Sequence, residues 1–531
     1  MSARGSEAGR ALPDGARGAV GIVGAGLAGL AAATVLAERG LRVILFEAQA
    51  HLGGRLASWP DRLADGTPFQ MERGFHAFFR QYYNVRALLR RVDPTLARLR
   101  PLPDYPLFGP DGARESFARL PRRAPWNVAA LVLRSPSFPL AALPRVDVRH
   151  ALEMLGYDPL GTAARWDGSS ARDYLDGLRF PPRARQMLFD VFAHSFFSRE
   201  EDLSAAELIG WFHFYFFANP EGIVFDVLDE PFGPAFVEPL AERLRALGVR
   251  IHASARVERV ERRFDGGWKL HVGDEEPPLE LDAVVLACDV AGLRAIVEAS
   301  ETLDDASWRA RVLSLRNAPP FAVWRLFLDR PMRADRPAFA GTTGLGPLDN
   351  VSLYERLEGE SARWARRTGG SVVELHAYAL DEGWSEPALR AELLAGLHAV
   401  YPESRSARIV EERWLVRDDC PAFEPGSQAR RPGVRTPFDG LLLAGDHVRM
   451  PFPCALMERA VASGILAANA LLEARGLPRE PVRHVPVRGP LARLLHRGAT
   501  TSTRTSRRDR GSGDGGAMAA SDSVSGSGSV S

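Results

Sequence analysis

The amino-acid sequence predicts an α/β fold in which a parallel sheet is interrupted by a mixed α+β insertion. A strand, a glycine-rich turn and a helix stand near the start of the chain, at 18–40. Short apolar strands of the kind buried in parallel sheets return much later, at 281–287 and 440–444. Between them, alternating patterns at 321–328 and 371–378 predict a second, more antiparallel sheet.

The first of these units carries a dinucleotide-binding motif. A β-branched run at 20–23 predicts a buried strand, and the helix after it is predicted to extend to about Arg39. Between strand and helix stands G-x-G-x-x-G, formed by Gly24, Gly26 and Gly29. The first glycine permits the tight turn, the second lets a pyrophosphate approach the backbone, and the third lets the helix pack closely on the strand. This arrangement predicts a Rossmann-type domain.

An acidic residue supports the same motif. A second strand at 42–46 ends in Glu47, where a carboxylate can accept hydrogen bonds from the hydroxyls of an adenosine ribose.

The uncharged stretch 18–37 also allows a different interpretation, a membrane anchor with a packing face of small residues. We favour the dinucleotide motif because the stretch is rich in glycine and alanine rather than leucine and is broken by a turn.

Composition excludes several classes of function. A chain of 531 residues that is 46% hydrophobic can bury a large core, and its net charge of +1 gives no basis for nucleic-acid binding. Lys269 is the only lysine, which excludes most lysine-centred chemistry. Cys288, Cys420 and Cys454 are widely spaced, which predicts a cytoplasmic compartment without a disulfide framework or a metal site. No signal peptide or transmembrane helix is predicted.

The order of the segments predicts a discontinuous first domain. We place its pieces at 18–90, 230–300 and 436–480. The substrate domain fills the stretches between these pieces, 91–229 and 301–435. The polar, glycine- and serine-rich ends of the chain are predicted to be disordered, at 1–17 and 498–531.

Two stretches of the insertion bear on the substrate. Residues 120–145 combine Arg122, Arg123 and Trp126 with a short apolar helix, which predicts either docking in a membrane interface or an ordinary buried helix. Residues 204–217 carry a stripe of six aromatic rings, which is typical of a core but also of a cavity for a long apolar substrate. The sequence leaves both pairs of alternatives open.

A second motif follows the first domain's second strand. His51-Leu-Gly-Gly-Arg55 resembles the extended fingerprint of the amine-oxidase and carotenoid-desaturase group of flavoproteins. The resemblance implies FAD, with Gly53 and Gly54 leaving room for its pyrophosphate while Arg55 offers a forked cation to the phosphate oxygens. We expect noncovalent binding, because no cysteine or histidine stands in a recognisable flavinylation motif.

The end of the strand at 440–444 resembles the second cofactor contact of these flavoproteins. There, the resemblance implies, Asp446 hydrogen-bonds the ribitol chain and the start of the next helix faces the flavin, where its positive end favours electron density on the reduced ring. It also implies cofactor contacts from five more residues, Ala28, Ala48, Val257, Gly445 and Met457.

The segment 72–84 narrows the resemblance further. It matches E-x-G-x-H-x-F-F-x-x-Y-x-N of the plant and cyanobacterial phytoene and ζ-carotene desaturases, and together with residues 445–460 it is most similar to the isorenieratene synthase branch of that family. Plain desaturases carry Met-Glu-Gly-Ala where this chain has Met-Glu-Arg-Ala at 457–460. Arg459 therefore argues against simple chain desaturation.

The resemblance implies an FAD-dependent oxidoreductase that aromatises the β-ionone ring of β-carotene to a φ ring with a methyl shift. Loss of a hydride beside the polyene would leave a delocalised cation, a methyl group would migrate, and proton loss would restore the double bonds. Another carotene or squalene desaturase, or a carotene isomerase, is the alternative on the same fold. The expected partners are a lipophilic carotenoid and the inner face of the cell membrane, to which the protein would bind peripherally.

Two residues of the 72–84 segment are candidates for catalysis. Glu72 offers a carboxylate that would stabilise cation character, and His76 offers a base. Each also has a structural explanation, because Glu72 can hold a backbone amide or Arg73, and His76 can simply pack beside the flavin.

Overall fold

The computed structural model describes residues 19–118, 120–273 and 277–492, and the structural statements below concern these residues. Both termini predicted to be disordered, 1–17 and 498–531, lie outside the described residues.

A five-stranded parallel sheet brings together three separate parts of the chain. In spatial order its strands are Arg250–His252, Arg42–Phe46, Ala19–Val23, Ala283–Leu286 and Leu441–Leu443. Every neighbouring pair is parallel. The inner strands are apolar and buried on both faces, as parallel strands covered by helices must be. The predicted α/β fold class is confirmed.

Two helices cover this sheet and cross closely. Leu27–Glu38 follows the first strand and Leu456–Ala474 follows the last. The crossing requires a glycine, because a Cβ at Gly464 would lie 2.1 Å from the carbonyl oxygen of Ala28. The uncharged stretch 18–37, for which a membrane anchor was the alternative, contains a buried strand and a buried helix. None of the described helices is long and apolar enough to cross a membrane.

The chain between these parallel strands contains a mixed, seven-stranded sheet. In spatial order its strands are Ile409–Arg417, Phe321–Leu328, Ser371–Ala377, Asn350–Leu353, Phe339–Thr342, Leu107–Phe108 and Arg114–Glu115. The strands predicted at 321–328 and 371–378 are antiparallel neighbours in it. Their mostly apolar residues place this sheet in a core of its own, which Leu393 and Leu397 of the helix Glu386–Val400 join.

Smaller elements connect the two sheets. The described chain has three further sheets, Val257–Arg262 with Trp268–Val272 and Leu279–Leu281, Ser58–Arg62 with Pro68–Glu72, and Phe78–Phe79 with Phe225–Leu228 and Leu99–Leu102. The strand predicted at 281–287 is divided at Asp282, because its first part pairs in the antiparallel sheet and its second in the parallel sheet.

The remaining described helices belong mostly to the insertion. The α-helices are Tyr83–Leu89, Trp126–Arg134, Val148–Leu155, Pro159–Trp166, Ala171–Leu178, Pro182–Arg185, Val191–His194, Ala205–Phe212, Glu238–Ala246, Val290–Ala299, Ala306–Leu313, Gly359–Thr368 and Ser427–Arg430. The π-helical turns are Gln186–Asp190, His213–Phe217 and Gly233–Val237. The 3₁₀ turns are Gly54–Leu56, Pro110–Gly112, Leu140–Arg145, Tyr354–Arg356 and Pro402–Ser406.

Candidate cofactor and substrate site

A cavity of about 1070 Å³ connects the carboxyl ends of the parallel strands with the seven-stranded sheet. Its first part, the cofactor groove, is lined by the glycine-rich turns at 24–28 and 53–56 and by residues 445–460. Its second part, the aromatic chamber, is lined by nine rings: Phe75, Phe79, Tyr82, Tyr105, Phe197, Phe225, Phe321, Phe339 and Tyr378. A polar groove thus opens directly into an apolar chamber.

The rings predicted at 204–217 form the wall behind the chamber. Among the described residues that line the cavity, none comes from this stretch. Trp211 and Phe214 are almost completely buried, and the hydroxyl of Tyr215 lies 2.6 Å from that of Tyr82, which does line the chamber. The alternative of an ordinary core is therefore the correct one for this helix.

Three glycines shape the cofactor groove. Gly24 has a φ of +103°, and a Cβ on it would lie 2.6 Å from the carbonyl oxygen of Ala287. A Cβ on Gly26 would meet only the Cα of Gly54, at 4.0 Å, so its bare backbone faces the open groove. The groove is thus a cradle that side chains would narrow, and the turn lies at a helix N-terminus suited to phosphate.

Gly29 was predicted among the cofactor residues, but it does not line the cavity. A Cβ there would lie 1.9 Å from the carbonyl oxygen of Gly24. Its role is therefore the close packing of the helix on the turn, which the motif assigns to the third glycine. The other predicted cofactor residues line the cavity: Gly24, Gly26, Ala28, Glu47, Ala48, Gly53, Gly54, Arg55, Val257, Gly445, Asp446 and Met457.

The predicted ribose acid is held in place by the backbone. The carboxylate of Glu47 accepts hydrogen bonds from the amides of Ala25, at 2.8 Å, and Gln49, at 2.9 Å. Each carboxylate oxygen has a second lone pair, and the side chain lines the groove. Glu47 is therefore preorganised to accept hydrogen bonds from ribose hydroxyls.

The two charged residues predicted to hold the pyrophosphate and the ribitol chain contact each other. Arg55 donates to both carboxylate oxygens of Asp446, at 2.8 and 2.6 Å. Burial would raise the pKa of Asp446, but the charge of Arg55 and these hydrogen bonds hold it below its usual value. Both side chains line the groove, so together they offer a fixed cation and a fixed acceptor. The shape of the groove, the carboxylate of Glu47 and the cation of Arg55 all fit FAD.

His76 is at the junction of groove and chamber. It lines the cavity, and its Nδ1 lies 2.8 Å from the carbonyl oxygen of Gly74. A carbonyl only accepts, so Nδ1 carries the proton and Nε2 carries the lone pair. Burial lowers the pKa of His76 to about 4, so the imidazole is neutral near pH 7.

Glu72 is not among the residues that line the cavity. Its side chain is 2% exposed and accepts a hydrogen bond from the amide of Phe232 at 2.6 Å. Burial raises the pKa of Glu72 to about 8. The guanidinium of Arg325 lies 3.7 Å from the carboxyl group of Glu72 but 2.8 Å from that of Glu374, so Arg325 pairs more closely with Glu374. The structure thus places Glu72 behind the site, and the predicted contact with the ring is not observed.

We therefore expect Glu72→Gln to change little. A neutral amide replaces a carboxyl group that is itself neutral at pH 7, and its oxygen still accepts from Phe232. Turnover of the purified enzyme should stay within about threefold of the wild type, since no group that touches the cavity changes. Glu72→Ala serves as the contrasting variant, because it leaves that buried amide without a partner and should lower the thermal midpoint. A loss of turnover in Glu72→Gln with bound FAD retained would restore Glu72 as a catalytic residue.

Sequence analysis missed a polar chain on the strand Ser371–Ala377. Nε2 of His376 lies 2.8 Å from Glu374, and its Nδ1 lies 2.8 Å from the hydroxyl of Tyr378. Asn350 donates to the same hydroxyl at 3.0 Å. Polar residues at every second position of an apolar strand share one face, and this spacing was the available signal.

Arg459 faces away from the cavity. Its guanidinium lies 3.2 Å from the carboxylate of Glu207 and 4.9 Å from the ring centre of Phe423. Arg431 pairs with the same carboxylate and lies over the same ring. The arginine of the 457–460 motif thus joins the helix Leu456–Ala474 to Glu207 and Phe423.

Comparison with known proteins gives concordant results. Residues 27–472 match the family model of flavin-containing amine oxidoreductases. A carotenoid phi-ring synthase of Streptomyces griseus is 52% identical over 487 residues, which cover 92% of this chain and 94% of the relative. A carotenoid phi-ring synthase of Chlorobaculum tepidum is 28% identical, covering 89% and 91%. Cyclohexylamine oxidase from Brevibacterium oxydans superposes with a TM-score of 0.65 at 15% identity, covering 87% of this chain and all of the oxidase, which shows the shared fold.

Proposed function

The chain belongs to the family of flavin-containing amine oxidoreductases, and from this premise we propose that it aromatises the β-ionone ring of β-carotene to a φ ring with a methyl shift. FAD is its cofactor and oxidation is its class of reaction. The observation that carries the substrate is the continuous cavity, in which a cofactor groove opens into a chamber lined by nine aromatic rings. Such a chamber suits a long hydrocarbon.

Different residues of the groove would hold different parts of the cofactor. Glu47 and the turn at Gly26 would hold the adenosine and the pyrophosphate, and residues 445–457 would hold the flavin end. We propose noncovalent binding. Bound FAD supplies a two-electron oxidant that accepts a hydride. We further propose the predicted division into a cofactor domain and an inserted substrate domain.

His76 is the proposed proton acceptor beside the cofactor groove. Its Nε2 lone pair is available because Nδ1 donates to Gly74. A neutral imidazole is a weak base when its pKa is about 4, yet a proton next to a carbocation is acidic enough to be lost to it. The aromatic faces of the chamber stabilise the positive charge on the ring while a methyl group migrates.

Coexpression of the chain with β-carotene synthesis tests the proposed function. We expect a pigment that has lost hydrogens without losing carbon and that carries trimethylphenyl end groups, as shown by mass analysis, absorption and NMR. An isomer of unchanged mass would indicate a carotene isomerase, and a longer polyene with intact β-ionone rings would indicate a desaturase. Acid precipitation of the purified protein should release FAD into the supernatant, as noncovalent binding requires.

The helix Trp126–Arg134 and the residues after it present an apolar surface to solvent. Trp126 is 68% exposed, Leu133 is 67% exposed and Leu160 is 81% exposed. Four arginines close to these residues in the sequence are exposed as well, Arg122, Arg123, Arg145 and Arg149. A buried helix would not expose these residues, so the docking alternative for 120–145 is the one we propose, with a lipid bilayer as the partner.

The exposed helix is linked to the wall of the aromatic chamber. Ser135 donates to Glu115 at 2.6 Å. The short strand Arg114–Glu115 pairs with Leu107–Phe108, and Leu107 lines the chamber. A bilayer in contact with this surface would therefore lie next to the chamber, where a membrane-dissolved hydrocarbon must enter.

The variant Trp126→Ser/Leu133→Ser tests the lipid surface. Each large apolar side chain contributes about 1.5–3 kcal/mol when it leaves water, so vesicle binding should fall at least about tenfold. Cosedimentation with anionic phosphatidylglycerol vesicles measures it. Phe264→Ser is the matched control, because Phe264 is fully exposed in a turn of the antiparallel sheet and is not part of this surface. Equal vesicle binding by the double variant and the wild type would contradict the proposal.

A further inference from the structure

The aromatic chamber contains polar groups that a hydrocarbon does not need. Glu374, His376 and Arg325 are each at most 2% exposed, and His376 lines the chamber together with Tyr378 and Asn350. Burying charged and polar groups costs free energy that hydrogen bonding only partly offsets. Apolar residues would fill this wall at no such cost, so the groups point to a chemical role.

Strand pairing holds the polar chain in place. Arg325 lies directly opposite Glu374 on the neighbouring strand, and Asn350 lies opposite His376 on the other side. Arg325 donates to Glu374 through Nε at 2.9 Å. The amide of Phe75 donates to the same carboxylate at 3.1 Å. The chain is therefore built across three strands and is rigid.

The direction of each hydrogen bond follows from the charge on Glu374. Burial would raise its pKa, but the charge of Arg325 and the bond from His376 outweigh burial and hold the pKa at about 2. An ionised carboxylate only accepts, so His376 donates from Nε2, and in the neutral imidazole Nδ1 then carries the lone pair. Tyr378 then donates its hydroxyl proton to Nδ1. Asn350 donates to the Tyr378 oxygen, which keeps one lone pair for a group in the chamber.

We propose that Tyr378 is a catalytic residue that accepts a proton from the substrate ring, with His376 and Glu374 as the positioning residues that draw its own proton away. The proposal rests on the proposed ring aromatisation. Aromatising a ring releases protons from more than one carbon, so an acceptor on the wall of the seven-stranded sheet complements His76 beside the cofactor groove.

The proton transfer balances in atoms and electrons. In each two-electron oxidation the ring loses a hydride, which the FAD oxidant takes up, and then a proton. The C–H bond next to the cationic carbon breaks, and its electron pair becomes the new C=C bond. The proton passes to the Tyr378 oxygen while the Tyr378 hydroxyl proton passes to Nδ1 of His376. The resulting imidazolium is stabilised by the carboxylate of Glu374, in the manner of a histidine paired with an acid.

Tyr378→Phe in the purified holoenzyme tests the proposal with β-carotene in detergent micelles. We expect kcat to fall about a hundredfold or more, with FAD content unchanged and KM within about twofold, because only the proton acceptor is removed. His376→Gln should lower kcat similarly, since glutamine cannot take up the proton. Tyr174→Phe is the matched control: Tyr174 is also buried and its hydroxyl donates to a carbonyl oxygen, that of His150 at 2.9 Å, but it does not line the cavity.

The outcomes separate the inference from the proposed function. A wild-type enzyme that forms no φ-ring product would overturn both. A wild-type enzyme that forms it, together with a Tyr378→Phe variant that keeps more than half of kcat, would overturn the inference alone. A rise in KM as large as the fall in kcat would also overturn it, because that pattern reports lost binding. If Tyr378→Phe loses its FAD, His376→Gln decides, since it leaves the phenol in place.

Discussion

Gly26→Val is expected to abolish FAD binding while the chain still folds. The Cβ position of Gly26 is open, with the Cα of Gly54 as its only neighbour at 4.0 Å, so the substitution does not disturb the protein itself. The valine side chain would instead occupy the groove where the pyrophosphate must approach the backbone. Overpacking of about 3 kcal/mol corresponds to an affinity loss of at least about a hundredfold.

FAD absorbance of the purified variant and a titration of apoprotein with FAD measure this loss. Gly168→Val is the matched control, because a Cβ at Gly168 also meets nothing within 4 Å but lies outside the cavity. Its FAD content should equal that of the wild type. The thermal midpoints of all three apoproteins should agree. A Gly26→Val protein with full FAD content would show that the groove does not hold the pyrophosphate.

Glu207→Ala is expected to lower the free energy of unfolding by about 3–5 kcal/mol. Glu207 is the shared partner of Arg431 and Arg459, and all three side chains are buried. Removing the carboxylate leaves two guanidinium groups close together in a site of low dielectric, with the ring of Phe423 as a much weaker partner. Burial and the charge of Arg459 already lower the pKa of Arg431.

Denaturant titration of the holoenzyme measures the effect. Glu201→Ala is the matched control, because Glu201 pairs with Arg172 at 2.7 Å on the surface. An exposed pair of this kind contributes at most about 1 kcal/mol. Replacing all three charged residues, as Glu207→Leu with Arg431→Met and Arg459→Met, should recover most of the lost stability, since no charge is left buried alone. A loss below about 1 kcal/mol in Glu207→Ala would contradict the prediction.

The cofactor groove could be predicted from the sequence because its parts are local. The spacing from Gly24 to Arg55 fixes which residues meet, and Gly29 has the packing role that the motif predicts for the third glycine. Asp446 was placed by resemblance alone. Its hydrogen bonds to Arg55, 391 positions away, depend on the folded sheet and had no signal in the sequence.

The positions of the candidate residues around the aromatic chamber were harder to predict because a motif does not show which way a side chain points. Glu72 is the last residue of its strand. Its carboxyl group accepts a hydrogen bond from the amide of Phe232 and does not line the cavity. The sequence motif uses Arg459 as an argument against simple chain desaturation, but in the structure its side chain pairs with Glu207. The alternating spacing of Glu374, His376 and Tyr378 is visible in the sequence. Their contact with Asn350 depends on the pairing of two strands in the folded sheet.

The strand order of the parallel sheet has a consequence for synthesis of the protein. The central strand Ala19–Val23 leaves the ribosome first, but one of its neighbours, Ala283–Leu286, follows much later, and the edge strand Leu441–Leu443 comes near the end. Such distant pairings close large loops and make folding slow. The cofactor groove, which needs Asp446 and Met457, is complete only when nearly the whole chain has emerged. FAD therefore meets a complete groove only when most of the chain has been made, and its binding then stabilises the folded enzyme by mass action.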